Sequence, residues 1–117
     1  MTALDRFFES YYRLRPVNAT FTGVHDHDHR LPDWSPEGLE ASRAEMQQLR
    51  AQLETAVDLT TLRDVASRDR ALAAAFLDVQ LAEDDSAHFA QGNPSLAAGE
   101  AIFGAISLMT RPSAPLG

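Results

Sequence analysis

The chain has 117 residues, 44% apolar and 23% charged, with 17 acids against 10 bases and a formal net charge of −7. That composition suits one soluble globular domain, and an acidic chain with scattered arginines repels phosphate backbones, which argues against a nucleic-acid partner. Cysteine is absent, so disulfides, thiolate nucleophiles and Cys-based zinc or iron–sulfur sites are excluded.

Leu4, Phe7, Phe8, Tyr11, Tyr12 and Leu14 recur at spacings of three and four, predicting a helix over 3–15 with an aromatic stripe facing a core. Pro16, preset for a first helical position, interrupts it and opens a short helix over 16–22 that Gly23 ends. Asp5, Arg6 and Glu9 break the apolar run that a signal peptide needs. No apolar run approaches the roughly 20 residues of a membrane span, so a soluble, cytoplasmic chain without a membrane partner is expected. A polar loop over 24–34 follows.

Ser35-Pro36-Glu37 signals a helix start: a hydroxyl cap, a proline at the first position and an acid in the first turn. From there Leu39, Ser42, Met46, Leu49, Leu53 and Val57 trace one face of a long helix over 36–57. Asp58-Leu59-Thr60 breaks it, and Thr60 or Thr61 caps the next helix, over 61–85. Its inward stripe is predicted as Leu62, Val65, Leu72, Phe76 and Val79, widened by Leu77 and Leu81. Glu83-Asp84-Asp85 put negative charge where the helix dipole disfavours it, so fraying or bending is expected there.

Gln91-Gly92-Asn93-Pro94-Ser95 is a loop of strong breakers. Beyond it a helix over 95–109 mixes Ala97, Ala98, Gly99, Ala101, Gly104 and Ala105 with Ile102, Phe103, Ile106 and Leu108. Glu100 is its one charge, so it should be buried nearly all round, more cover than a four-helix fragment can supply. No strand pattern competes. The expected fold is all-α, three to four antiparallel helices joined by short loops.

His25-Asp26-His27-Asp28-His29 carries the most chemical content. In an extended conformation His25, His27 and His29 share one side and both aspartates the other, a weak candidate for zinc held by three imidazoles. On a helix only His25 and His29 share a face. The alternative is a polar connector in which Asp26, Asp28 and Asp33 make turns by bonding backbone amides. A calcium loop fails, because Arg30 takes a ligand position and Leu31 replaces the required glycine. His88 reads as a surface residue at a helix end, no serine has a nucleophile-elbow context, and no glycine-rich phosphate loop exists. Glu100 is the one acid whose burial would raise its pKa, with a backbone amide or a neighbouring arginine as its expected partner. No residue is assigned a catalytic or cofactor-binding role.

Tyr11-Tyr12-Arg13-Leu14-Arg15-Pro16, Ala19-Thr20, Gly23-Val24-His25-Asp26, Arg30-Leu31-Pro32-Asp33 and Ser35-Pro36-Glu37 form an ordered series, continued by Asn93-Pro94-Ser95-Leu96 and Gly99-Glu100-Ala101-Ile102-Phe103-Gly104. Over nearly the whole chain this series resembles the start of the bacterial family known as domain of unknown function 885. Members of that family often carry other polar residues where His27 and His29 stand, which weakens the metal candidate. The resemblance implies a longer, mostly helical protein similar to gluzincin-type zinc peptidases, with a downstream His-Glu-x-x-x-Gly-His-His motif absent from this sequence. It therefore implies an N-terminal helical scaffold segment, truncated before the metal motif and lacking catalytic residues or a cofactor of its own. Its expected partner is the missing C-terminal catalytic region, or another copy through the apolar helix 95–109. Two other readings stand beside it: a self-sufficient helical interaction module, and a metal-binding protein using His25, His27 and His29.

Overall fold

A computed structural model describes residues 1–55, 64–86 and 92–110. Five helices and no strand occur among these residues: α1 (Ala3–Leu14), α2 (Pro16–Thr22), α3 (Pro36–Thr55), α4 (Val65–Asp84) and α5 (Pro94–Thr110). The class is all-α as expected; the described helices number five where three to four antiparallel ones are expected, the short helix predicted over 16–22 being the additional one. The expected cap at Thr60 or Thr61, the apolar positions Val57 and Leu62, the break at Asp58-Leu59-Thr60, His88, Gln91 and the segment 111–117 lie outside the described residues.

Local signals set the helix ends. Thr2 and Asp5 form a capping box: the Asp5 amide donates to Thr2 Oγ1 at 3.1 Å and the Thr2 amide donates to Asp5 Oδ2 at 2.8 Å. At the other end the chain turns at Arg15, and Pro16 opens α2 without needing an amide hydrogen. Gly23, at φ 94°, closes α2 in the left-handed conformation that favours glycine, its N–H donating back to Ala19 and Thr20. Ser35 Oγ accepts from the Gly38 amide at 3.0 Å, so the hydroxyl before Pro36 caps α3.

Helices α1, α3 and α4 enclose the core, formed by Phe7, Met46, Leu49, Leu53, Ala73, Ala74 and Leu77. Phe76 meets Phe7 and Tyr11 edge to face, with ring centroids 6.0 and 5.3 Å away. Along α3 the buried positions are Met46, Leu49 and Leu53, all on the face that its periodicity indicates. On α4 the expectation is corrected. Val65, Leu72 and Val79, predicted to point inward, are exposed, and Phe76 is partly so while packing on Phe7; Leu77 is buried and Leu81 packs on the core as expected, joined by the buried Ala73 and Ala74. Apolar residues lie on both sides of α4, so periodicity alone does not choose between its faces. The two alanines permit the close approach that packing on α3 requires.

The acidic end of α4 does not fray before Asp84. Arg43 Nη1 of α3 reaches Asp85 Oδ1 at 2.8 Å, placing a cation where the helix dipole calls for one. Helix α5 packs chiefly on α2. Gly104 makes that contact possible, since a Cβ there would lie 3.3 Å from Val17 Cγ2. Phe21 and Phe103 meet edge to face nearby, their centroids 6.5 Å apart. Only Gly104 and Ser107 of α5 are buried, so the expectation of a helix covered all round is corrected too. One short helix cannot cover a cylinder that is apolar on every side.

Candidate functional site

The histidine–aspartate segment is a pair of turns, not an extended strand. The Asp28 amide donates to the His25 carbonyl at 3.4 Å, and the Arg30 amide to the His27 carbonyl at 3.0 Å. Asp28 organises the segment. Its Oδ1 accepts from Thr20 Oγ1, a buried hydroxyl of α2, at 2.6 Å, and its Oδ2 lies 3.0 Å from His25 Nδ1. A carboxylate only accepts, so this contact selects the tautomer with hydrogen on Nδ1. Asp28 thus ties the loop to α2 through side chains, not through the backbone amide expected for it.

The three imidazoles do not gather on one side. His25 is half-buried against Asp28, His27 is half-buried, and His29 is exposed. His29 lines a pocket with Arg30, Leu31 and the α5 residues Ala101, Gly104 and Ala105. No three histidine, aspartate or glutamate side chains among the described residues are placed to hold a metal ion. Asp33 does form a local turn: its Oδ1 accepts from the Ser35 amide at 3.0 Å. Hydrogen bonds from the Ser35 side chain and backbone hold its carboxyl below the usual aspartate range.

A second polar constellation lies where the end of α1, the loop before α3, the first turns of α3 and the end of α4 converge. Arg13, Arg15, Arg30, Trp34, Glu45 and Asp84 line a pocket there of about 160 Å³. Arg13 Nη2 contacts both Glu45 oxygens, at 2.5 and 2.6 Å. Burial pushes the Glu45 carboxyl up, but hydrogen bonds from Arg13 and Ser10 and the charge of Arg13 outweigh it, and the net shift is downward. Burial likewise pushes Asp84 up, and the charges of Arg15 and Arg43 offset only part of that.

Arg15, at the junction of α1 and α2, donates to Gln80 Oε1 of α4 at 3.0 Å. Its charge also acts on Glu100 of α5, whose carboxyl burial holds above the usual glutamate range. One guanidinium thereby bonds α4 and acts on α5 through its charge alone. Arg15 acts on Glu100 through its charge, and the role of Arg15 itself escaped the sequence. Its only local signal is the position before Pro16, where the chain turns between two helices. Arginine–carboxylate pairs of this kind join helices and supply neither a nucleophile nor a general base.

The series from Tyr11 to Gly104 is thus spread over the end of α1, α2, the loop, the α3 cap and α5. A family model described as "Bacterial protein of unknown function (DUF885)" matches residues 16–115. The chain belongs to the DUF885 family. None of the curated proteins and none of the solved structures matches it. In DUF885 terms the matched region includes the whole histidine–aspartate loop and the whole of α5. No helix among the described residues is long and apolar enough to cross a membrane.

Proposed function

We propose that this DUF885 chain is a helical scaffold segment of a metallopeptidase-like protein, packed through α5 against a catalytic region and contributing no catalytic residue itself. One observation carries the reading: the outward face of α5 presents Ile102, Ile106 and Met109 to solvent, flanked by the exposed Phe103 and Leu108. A contiguous apolar patch of that kind marks a protein contact. The radius of gyration, 15.7 Å, exceeds the roughly 13 Å of a compact domain of this length, in keeping with surfaces that await a neighbour. A second copy held through α5 is the alternative occupant, and a cytoplasmic location belongs to the same proposal.

The zinc implied by the family resemblance does not fit the described residues. His25 is engaged by Asp28 and no third ligand converges on the pair. No metal-dependent step is therefore assigned to this chain.

The gene and the protein test the proposal together. Read onward from codon 117, the DNA is expected to encode a His-Glu-x-x-x-Gly-His-His motif in frame. The 117-residue chain is expected to bind a hydrophobic dye such as anilinonaphthalene sulfonate in native buffer. A stop codon at that point, with a dye-silent monomer, would replace the scaffold by an independent interaction module.

A further inference from the structure

Helix α4 leaves four of its large apolar side chains exposed, though Phe76 among them also meets Phe7 and Tyr11 on one side. Val65, Leu72, Phe76 and Val79 are 60, 68, 37 and 55% exposed. With Asp69 they form a line at 65, 69, 72, 76 and 79, spaced alternately by four and three residues. That is the 3.5-residue period of a helix–helix seam, sustained for about 21 Å along the axis. Beside it runs a groove of about 610 Å³ whose α1 wall is Leu4, Phe7, Phe8 and Tyr11. Asp69 is the one charged residue lining this groove, and its carboxylate makes no hydrogen bond or ion pair among the described residues.

We propose that the α1–α4 groove docks an amphipathic helix of a partner polypeptide, whose apolar seam carries a lysine or arginine facing Asp69. The seam period suits a helical occupant, whose apolar residues recur at the same spacing of about 5 Å, whereas same-face residues of a strand recur at about 6.6 Å and drift out of step. The lone carboxylate sets the charge: a cation opposite it is attracted, whereas an anion or an apolar residue leaves it desolvated and unpaired. The chain's net charge of −7 adds long-range attraction for a basic segment. In a parallel pairing of two α4 helices Asp69 would face its own copy, which disfavours self-pairing in that register. This face is separate from α5, so the proposal stands without the scaffold reading.

The test uses the full chain and two fluorescein-labelled helical peptides of eighteen residues. Both carry leucine at the seam positions; one has lysine at the central seam position, the other glutamate. The lysine peptide is expected to bind on the order of tenfold more tightly, and Asp69→Asn to remove most of that preference, leaving only the salt-sensitive part due to net charge. Leu72→Glu, at an exposed position, is expected to keep the helical circular dichroism of the parent and to abolish binding of both peptides. Equal binding of the two peptides, no binding of either, or undiminished binding by Leu72→Glu overturns the proposal. Sedimentation showing a dimer that Leu72→Glu dissociates overturns it as well, giving this face to a second copy.

Discussion

Gly38 stands in the first turn of α3 at a point where no other residue fits. A Cβ there would lie 2.6 Å from the Asp33 carbonyl oxygen, which is backbone and cannot swing aside. Gly38→Ala would gain about 1 kcal/mol of helix propensity. The forced shift of the loop costs about 1–3 kcal/mol and strains the Ser35 cap, so a net loss of stability is expected in urea denaturation. An unchanged or higher midpoint would show that the turn yields freely. Among acids, Glu100 is raised by burial, with Arg15 offsetting only part, and Asp84 shifts in the same direction. A carboxyl with a raised folded-state pKa holds more protons folded than unfolded, so its contribution is complete below the ordinary value and is lost as pH rises through the folded one. Glu100→Gln should therefore melt higher than the parent at neutral pH, the gap closing as pH falls below about 4. A gap that ignores pH would dissociate Glu100 from that linkage. The Ser35 cap was legible in sequence, since its partner is three residues away. The bond from Thr20 to Asp28 was not, because it depends on how α2 buries a hydroxyl and how the following loop folds back.

At the scale of elements, α4 shows what periodicity decides and what it leaves open. Its helical character follows from alanine, leucine and arginine, which form helices readily. Its orientation does not, because large apolar residues line one side and alanines with Leu77 the other. Packing chose the alanine side, where backbones approach closely and Arg50 Nε meets Asp78 Oδ1 at 2.6 Å to fix α4 along α3. The two leucines of α4 separate these faces experimentally. Leu77→Ala is expected to cost about 2–5 kcal/mol as a buried truncation, and Leu72→Ala to stay within roughly 0.5 kcal/mol as an exposed one. Equal losses in chemical denaturation would place both residues in the core. Helix α3 needed no such choice, since its apolar positions share one face and its exposed faces are largely polar.

Seen as a whole, the molecule is 20 Å across its shortest dimension, about two helix diameters. A layer that thin can cover the inner faces of α1, α3 and α4, but it leaves the outward sides of α4 and α5 in water. The amino-acid sequence by itself determined the helical class, the helix starts at Thr2, Pro16 and Ser35-Pro36, and membership of DUF885, because caps, prolines, glycines and ordered motifs act over a few residues. Only the tertiary structure decided which face of α4 is buried, that Asp28 fastens the histidine loop to α2, and that Arg15 bonds Gln80 of α4. Those outcomes depend on side chains eight to 65 positions apart, from Thr20–Asp28 to Arg15–Gln80. Only packing, through shape and desolvation, brings such pairs together.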